Sequence, residues 1–181
     1  MKTALLLFMF LIASGHAYSQ KRAYLDVDSV VTVQAQELIE SKKAMHVIVY
    51  QSGCVGCEVL REVDCNCDDD ATAYLIWKED SAYFKKKVGC CVKDEILPFG
   101  NAALYENLVK DSTSVFSSKF KSDYVEIHHS YRKIMLFSTG EEREVYMEEF
   151  LFAKDNKYKQ LNLKQAAKAY SDKLESELFK K

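Results

Sequence analysis

Apolar positions along the chain fall into short runs separated by charged turns, and their spacing predicts an α+β fold. Over 28–43, Val31, Ala35, Leu38 and Ile39 recur at helical spacing, with Asp28 or Ser29 placed to cap the first turn. The run Val47, Ile48, Val49, Tyr50 is too short for a helix and rich in β-branched residues, so it reads as a buried strand. Residues 73–88 read as a β-hairpin turning near Asp80-Ser81, which sets Trp77 opposite Phe84, Leu75 opposite Lys86 and Ala73 opposite Val88. Its apolar face carries Ala73, Leu75, Trp77, Phe84 and Val88. The other face, with Tyr74, Ile76, Tyr83, Lys85 and Lys87, is the wetter one, and the lysines read as a guard on an edge strand.

A second hairpin spans 134–147 and turns at Thr139-Gly140, where glycine supplies positive φ at little cost. Ile134, Leu136, Val145 and Met147 share one face. Met135 and Phe137 stand on the other beside Glu142 and Glu144, which calls for partial cover by a helix. A short edge strand over 24–27 and a strand-like run over 124–128 complete a largely antiparallel sheet of about five or six strands. A middle helix over 101–110 follows Pro98 and carries Ala102, Leu104, Tyr105 and Leu108 on one side. Residues 112–122 are polar and read as a loop. The C-terminal helix takes Asn162 as its cap and presents Leu163, Ala166, Ala167, Tyr170, Leu174 and Leu178 as one stripe.

Composition narrows the class. The chain has 181 residues with one Pro, six Gly and a formal charge of −2, and no linker divides it, so 18–181 reads as one domain. The near-neutral balance argues against a nucleic-acid partner. Residues 1–17 stand apart. Lys2 gives a positive start, residues 4–13 are apolar throughout, and Gly15-His16-Ala17 offers small residues for cleavage after Ala17. That core falls short of the ~20 residues a membrane helix needs. It reads as a signal peptide, so the product is expected to be exported, periplasmic or secreted, with no membrane span after cleavage.

Export changes how the thiols are read. The six cysteines, Cys54, Cys57, Cys65, Cys67, Cys90 and Cys91, are expected to be bridges in an oxidising compartment. The pairings favoured are Cys54 with Cys57, and one of Cys65 or Cys67 with one of Cys90 or Cys91, since these two pairs flank the first hairpin. In strict register Cys90 falls opposite Ala71. In a reducing compartment Cys54 and Cys57, with either further pair, would instead suit a four-sulfur zinc site. His128 and His129 are neighbours that point to opposite faces of a strand and do not share a metal. Asp64, Asn66 and Asp68 match the first positions of a calcium loop, but Asp69 replaces its turn glycine and Leu75 its bidentate glutamate. No metal and no cofactor are therefore expected, and no hydrolase triad or phosphate-cradling glycine loop is present.

Two resemblances follow from these residues. The strand, turn and Cys54-Val55-Gly56-Cys57 order over 46–60 resembles the thioredoxin-like family. That resemblance implies Cys54 at a helix N-terminus as the attacking thiolate and Cys57 as the resolving thiol. Gly53 stands where that family carries an aromatic residue, and Pro98 is the only residue available for its proline loop. The segment 74–91, YLIWKEDSAYFKKKVGCC, resembles a hairpin-plus-cysteine pattern of uncharacterised exported bacterial proteins and implies export. The expected function is a disulfide-braced binding or interaction module for an unknown protein or small ligand. The alternative is a thiol–disulfide oxidoreductase using Cys54 and Cys57.

Overall fold

A computed structural model of the chain describes residues 25–57 and 71–180. The expected signal peptide, Cys65, Cys67 and the aspartates of the calcium-like loop lie outside the described residues. The fold is α+β: the described residues form five α-helices and a six-stranded sheet in which every neighbouring pair is antiparallel. In chain order the elements are α1 (Val27–Glu40), β1 (His46–Val55), β2 (Thr72–Glu79), β3 (Ala82–Gly89), β4 (Ile96–Pro98), α2 (Ala102–Lys110) and α3 (Ser112–Phe116). There follow β5 (His129–Ser138), β6 (Glu141–Glu148), a 3-10 turn (Glu149–Phe152), α4 (Lys159–Asn162) and α5 (Ala166–Leu178). The strand order is β4-β3-β2-β1-β5-β6, which makes β1 central.

Because side chains alternate across a strand, β1 feeds two cores at once. Ile48 and Tyr50 face α2, α3 and α5 together with Ile76, Ile134, Leu136 and Met147. Val47 and Val49 face α1 with Leu75, Trp77, Met135 and Phe137. A strand covered on both sides reads as a continuous apolar run, which is why residues 47–50 show no alternation. α1 lays Val27, Val31 and Ala35 on the sheet. Lys133 of β5 ties the start of that helix down by an ion pair with Asp28 at 2.8 Å.

Both hairpins take the register expected of them. Trp77 pairs with Phe84, Leu75 with Lys86 and Ala73 with Val88, and Asp80 turns the chain at φ 54°. In the second, Ile134 pairs with Val145, and Gly140 turns at φ 72°. Several local expectations are corrected. Of the edge strand expected at 24–27, residue 24 lies outside the described residues, Leu25 and Asp26 are in no strand, and Val27 begins α1, which Asp26, not Asp28, caps by accepting from Ser29 N at 3.2 Å. Residues 124–128 form no strand, because β1 ends at Val55 opposite His129 and leaves them no partner. Val125 and Ile127 are accordingly exposed. The polar 112–122 stretch contains α3, anchored by buried Val115. The lysine-bearing β3 is not the edge strand, since β4 pairs with it and Pro98 sits in the border strand, where a missing N–H is tolerated. Tyr74 and Ile76 are buried rather than wet, because α2 and α5 cover that face.

Asn162 does not cap the C-terminal helix. It is fully buried, donates to the carbonyls of Lys121 and Leu151 at 2.7 and 2.8 Å, and accepts from Lys121 N at 3.0 Å. Asn156 makes matching bonds to Lys121 O and Leu151 O at 3.2 and 3.1 Å. Two amides thus knit the approach to β5 onto the turn after β6, satisfying backbone groups that would otherwise be buried unpaired.

Candidate functional site

The site begins where β1 runs out of apolar residues. After Tyr50 come Gln51, Ser52, Gly53 and Cys54, each still in the ladder: Gly53 opposite Tyr131 and Cys54 opposite Ser130. Cys54 is therefore a strand residue, and its position is set by the pairing of β1 with β5. Gly56 turns the chain at φ +69° and brings Cys57 back to form a disulfide with Cys54 across a Cα–Cα distance of 5.6 Å. His128 Nδ1–H donates to the Gly56 carbonyl, and a Cβ at position 56 would meet that same nitrogen at 2.5 Å. Glycine is required there twice over, by its φ and by the imidazole. The two sulfurs stand 3.8 and 3.9 Å from the Val55 carbonyl oxygen, and Cys57 is exposed.

The other side of this strand end is held by an aromatic ring. Tyr131 lies over Gly53, where a Cβ would come within 2.7 Å of its hydroxyl. Gln51 Nε2, itself buried, donates to that hydroxyl at 3.1 Å, and the Tyr131 ring stacks on Tyr146 at 5.0 Å. Burial and the neighbouring Tyr131 push the Tyr146 phenol up to about 12. The glycine expected as a departure from the thioredoxin-like pattern is thus the seat of a cross-strand tyrosine.

On the Cys54 face a crevice of about 530 Å³ opens, lined by Ser52, Thr72, Ser130, Arg132, Glu149 and Glu175. Arg132 is held at 3.0 Å by both Asp172 and Glu175 and at 3.5 Å by Glu149. Burial works against its charge, but Glu149, Tyr50, Glu175 and Asp172 together carry its pKa above the ordinary guanidinium value. Beneath it, burial and the charge on Glu175 push Tyr50 up to about 12.

Cys90 and Cys91 follow β3 at the same end of the sheet, since Gly89 pairs with Thr72 and Thr72 with Ser52. The ends of β1 and β3 are two strand spacings apart, about 10 Å. Each of these cysteines is in a disulfide, and with their sulfurs 3.9 Å apart they are not joined to one another. Cys65 and Cys67, expected as partners for that pair, lie outside the described residues.

Several sequence features do not converge here. Pro98 aligns through Phe84 and Trp77 with Val47, at the far end of β1, and three strands away. That places it about 25 Å from Cys54, too far to border the dithiol. The described peptide bonds are all trans. His128 and His129 part company: His129 Nδ1–H donates to Glu126 O at 2.7 Å and its ring meets Phe150 edge-on at 5.1 Å. Among the described residues no three His, Cys, Asp or Glu side chains gather to hold a metal ion. No described helix is long and apolar enough to cross a membrane. Tyr131 and Arg132 were not legible as site residues, and His128 stands out in the sequence only as a metal ligand set aside. The only signal was the pair of glycines at 53 and 56, which mark places where something else must approach closely. Comparison with protein-family models, with curated proteins and with solved structures finds no match for this chain.

Proposed function

We propose that this chain is an exported protein whose disulfides brace one end of an antiparallel sheet, and that its business is binding rather than thiol exchange. The observation that carries the reading is the place of Cys54. It lies in the β1–β5 ladder opposite Ser130, so the dithiol is an extension of the central strand. A strand residue gains nothing from the partial positive charge that lowers a thiol pKa at a helix N-terminus. The Gly56 turn and its His128 contact fix the ring in one shape, as suits a brace. Cys65 and Cys67 are the cysteines left to partner Cys90 and Cys91, which would clip the ends of the first hairpin together. The expected signal at residues 1–17 and the closed disulfide fit an oxidising compartment.

A second reading is favoured by one observation. Cys57 is exposed and a crevice opens beside Cys54, so an incoming thiol has access and oxidoreduction through Cys54 and Cys57 is sterically open. The reduction potential of this pair, with an insulin-reduction assay, separates the two. A potential below about −300 mV without turnover supports the brace; turnover with a potential between about −270 and −120 mV transfers the assignment to the enzyme.

A further inference from the structure

A cleft away from the cysteines lies at the opposite end of the sheet, where the last turn of α1 meets the β5–β6 turn. It holds about 610 Å³, within the range of small-molecule sites. Its floor is apolar, made of Phe137, almost wholly buried, and Ile39. Glu142 pairs directly with Phe137 across the hairpin, so its carboxylate rises on the same face as the ring. Glu40 faces it from α1, and Gln36 stands one turn before Glu40.

Charge gives this cleft a sign. Neither Glu40 nor Glu142 meets a cation or a hydrogen-bond donor among the described residues, whereas Glu141 is taken up by Arg143. Lys42 offsets one of the three carboxylates and Arg143 another, which leaves the lining net negative. An apolar floor under an unneutralised acidic rim fits an organic cation with a flat hydrocarbon body.

We propose that this cleft binds small arylalkylamines, with the ring on Phe137 and Ile39 and the ammonium group between Glu40 and Glu142. The inference rests on the binding-module reading and names the ligand class for it. The test is an NMR titration of the oxidised full chain at neutral pH with phenethylamine, phenylacetate and 2-phenylethanol as probes. Phenethylamine is expected to saturate, shifting amides confined to 36–42 and 137–142, and to bind at least about tenfold more tightly than phenylacetate. Glu40→Gln and Glu142→Gln are each expected to weaken the amine about fivefold, as a single charge contact in water would, and to leave 2-phenylethanol unaffected. Both carboxylates are exposed, so these variants keep the fold. Equal or tighter binding of phenylacetate or 2-phenylethanol at the same amides overturns the ligand class and leaves the binding-module reading standing. No saturation by phenethylamine below about 50 mM, shifts elsewhere, or indifference to both Glu→Gln changes overturns the site itself. The binding-module reading falls separately, on turnover in the insulin assay.

Discussion

The two halves of β1 are held by different physics. From Val47 to Tyr50 every side chain is buried between helices on both faces, and the half is fixed by the apolar area it removes from water. From Ser52 to Cys57 the residues are small or polar and become exposed, and the half is fixed by a covalent ring, a tyrosine over a glycine and a histidine on a carbonyl. Burial tolerates chemical variety as long as volume is conserved. The bridged half tolerates little, because each partner is one particular group.

Breaking the apolar half should have the largest effect. Ile48→Ala empties a fully buried position in the face covered by α2 and α5 and is expected to cost about 3–4 kcal/mol, read as a lowered urea midpoint. The loss should be the same with and without reductant; a loss that appears only under reduction would merge the two halves into one. Opening the Cys54–Cys57 ring is expected to cost less. It closes so short a loop that the chain-entropy model gives only about 2 kcal/mol for Cys54→Ser with Cys57→Ser. Complete unfolding of that double variant at room temperature would show that the apolar half of β1 does not stand without the ring. Gly56→Ala meets both the φ of +69° and His128, and about 1–2 kcal/mol of destabilisation is expected. Pairing it with His128→Ala should relieve part of the loss, and strict additivity of the two would dismiss the contact.

The smallest effect is a titration that touches the apolar half alone. Burial raises Tyr50, to about 12, and also raises Tyr105, whose hydroxyl donates to His46 O at 2.8 Å. Their folded-state pKa values lie above the unfolded value near 10, so both stay neutral in the fold while the unfolded chain ionises. The stabilisation is complete below pH ~10 and is lost as pH rises from there toward 12, on the order of 1 kcal/mol for each near pH 10.5. Between about pH 9 and about pH 11 the stability of Tyr50→Phe, read from urea midpoints, should fall less steeply than the parent's, and parallel curves would dismiss the shift.

The apolar half was legible in the sequence and the bridged half only in part. Registers such as Trp77 with Phe84 follow from alternation and a turn at Asp80, both local properties. The run over 124–128 alternates just as well, yet a strand exists only where another strand offers its edge. β1 turns away at Gly56 one residue too soon for His128 to pair. Likewise Asn162 has the chemistry of a cap, but what consumed its hydrogen bonds was the distant backbone of Lys121 and Leu151. The spacing of Cys54 and Cys57 marks them as a pair; His128, Tyr131 and Arg132 reach that pair from β5 and its approach, through a pairing that spacing does not reveal.

The borders of the sheet have a consequence for the molecule in concentrated solution. On one side β4 is three residues long and ends in Pro98, a poor template for further pairing. On the other β6 is long but carries Glu141, Glu142, Glu144 and Glu148. Two copies that met along β6 would bring like charges face to face, so polymerisation through that border is opposed for as long as the carboxylates stay ionised. Acidification removes that opposition.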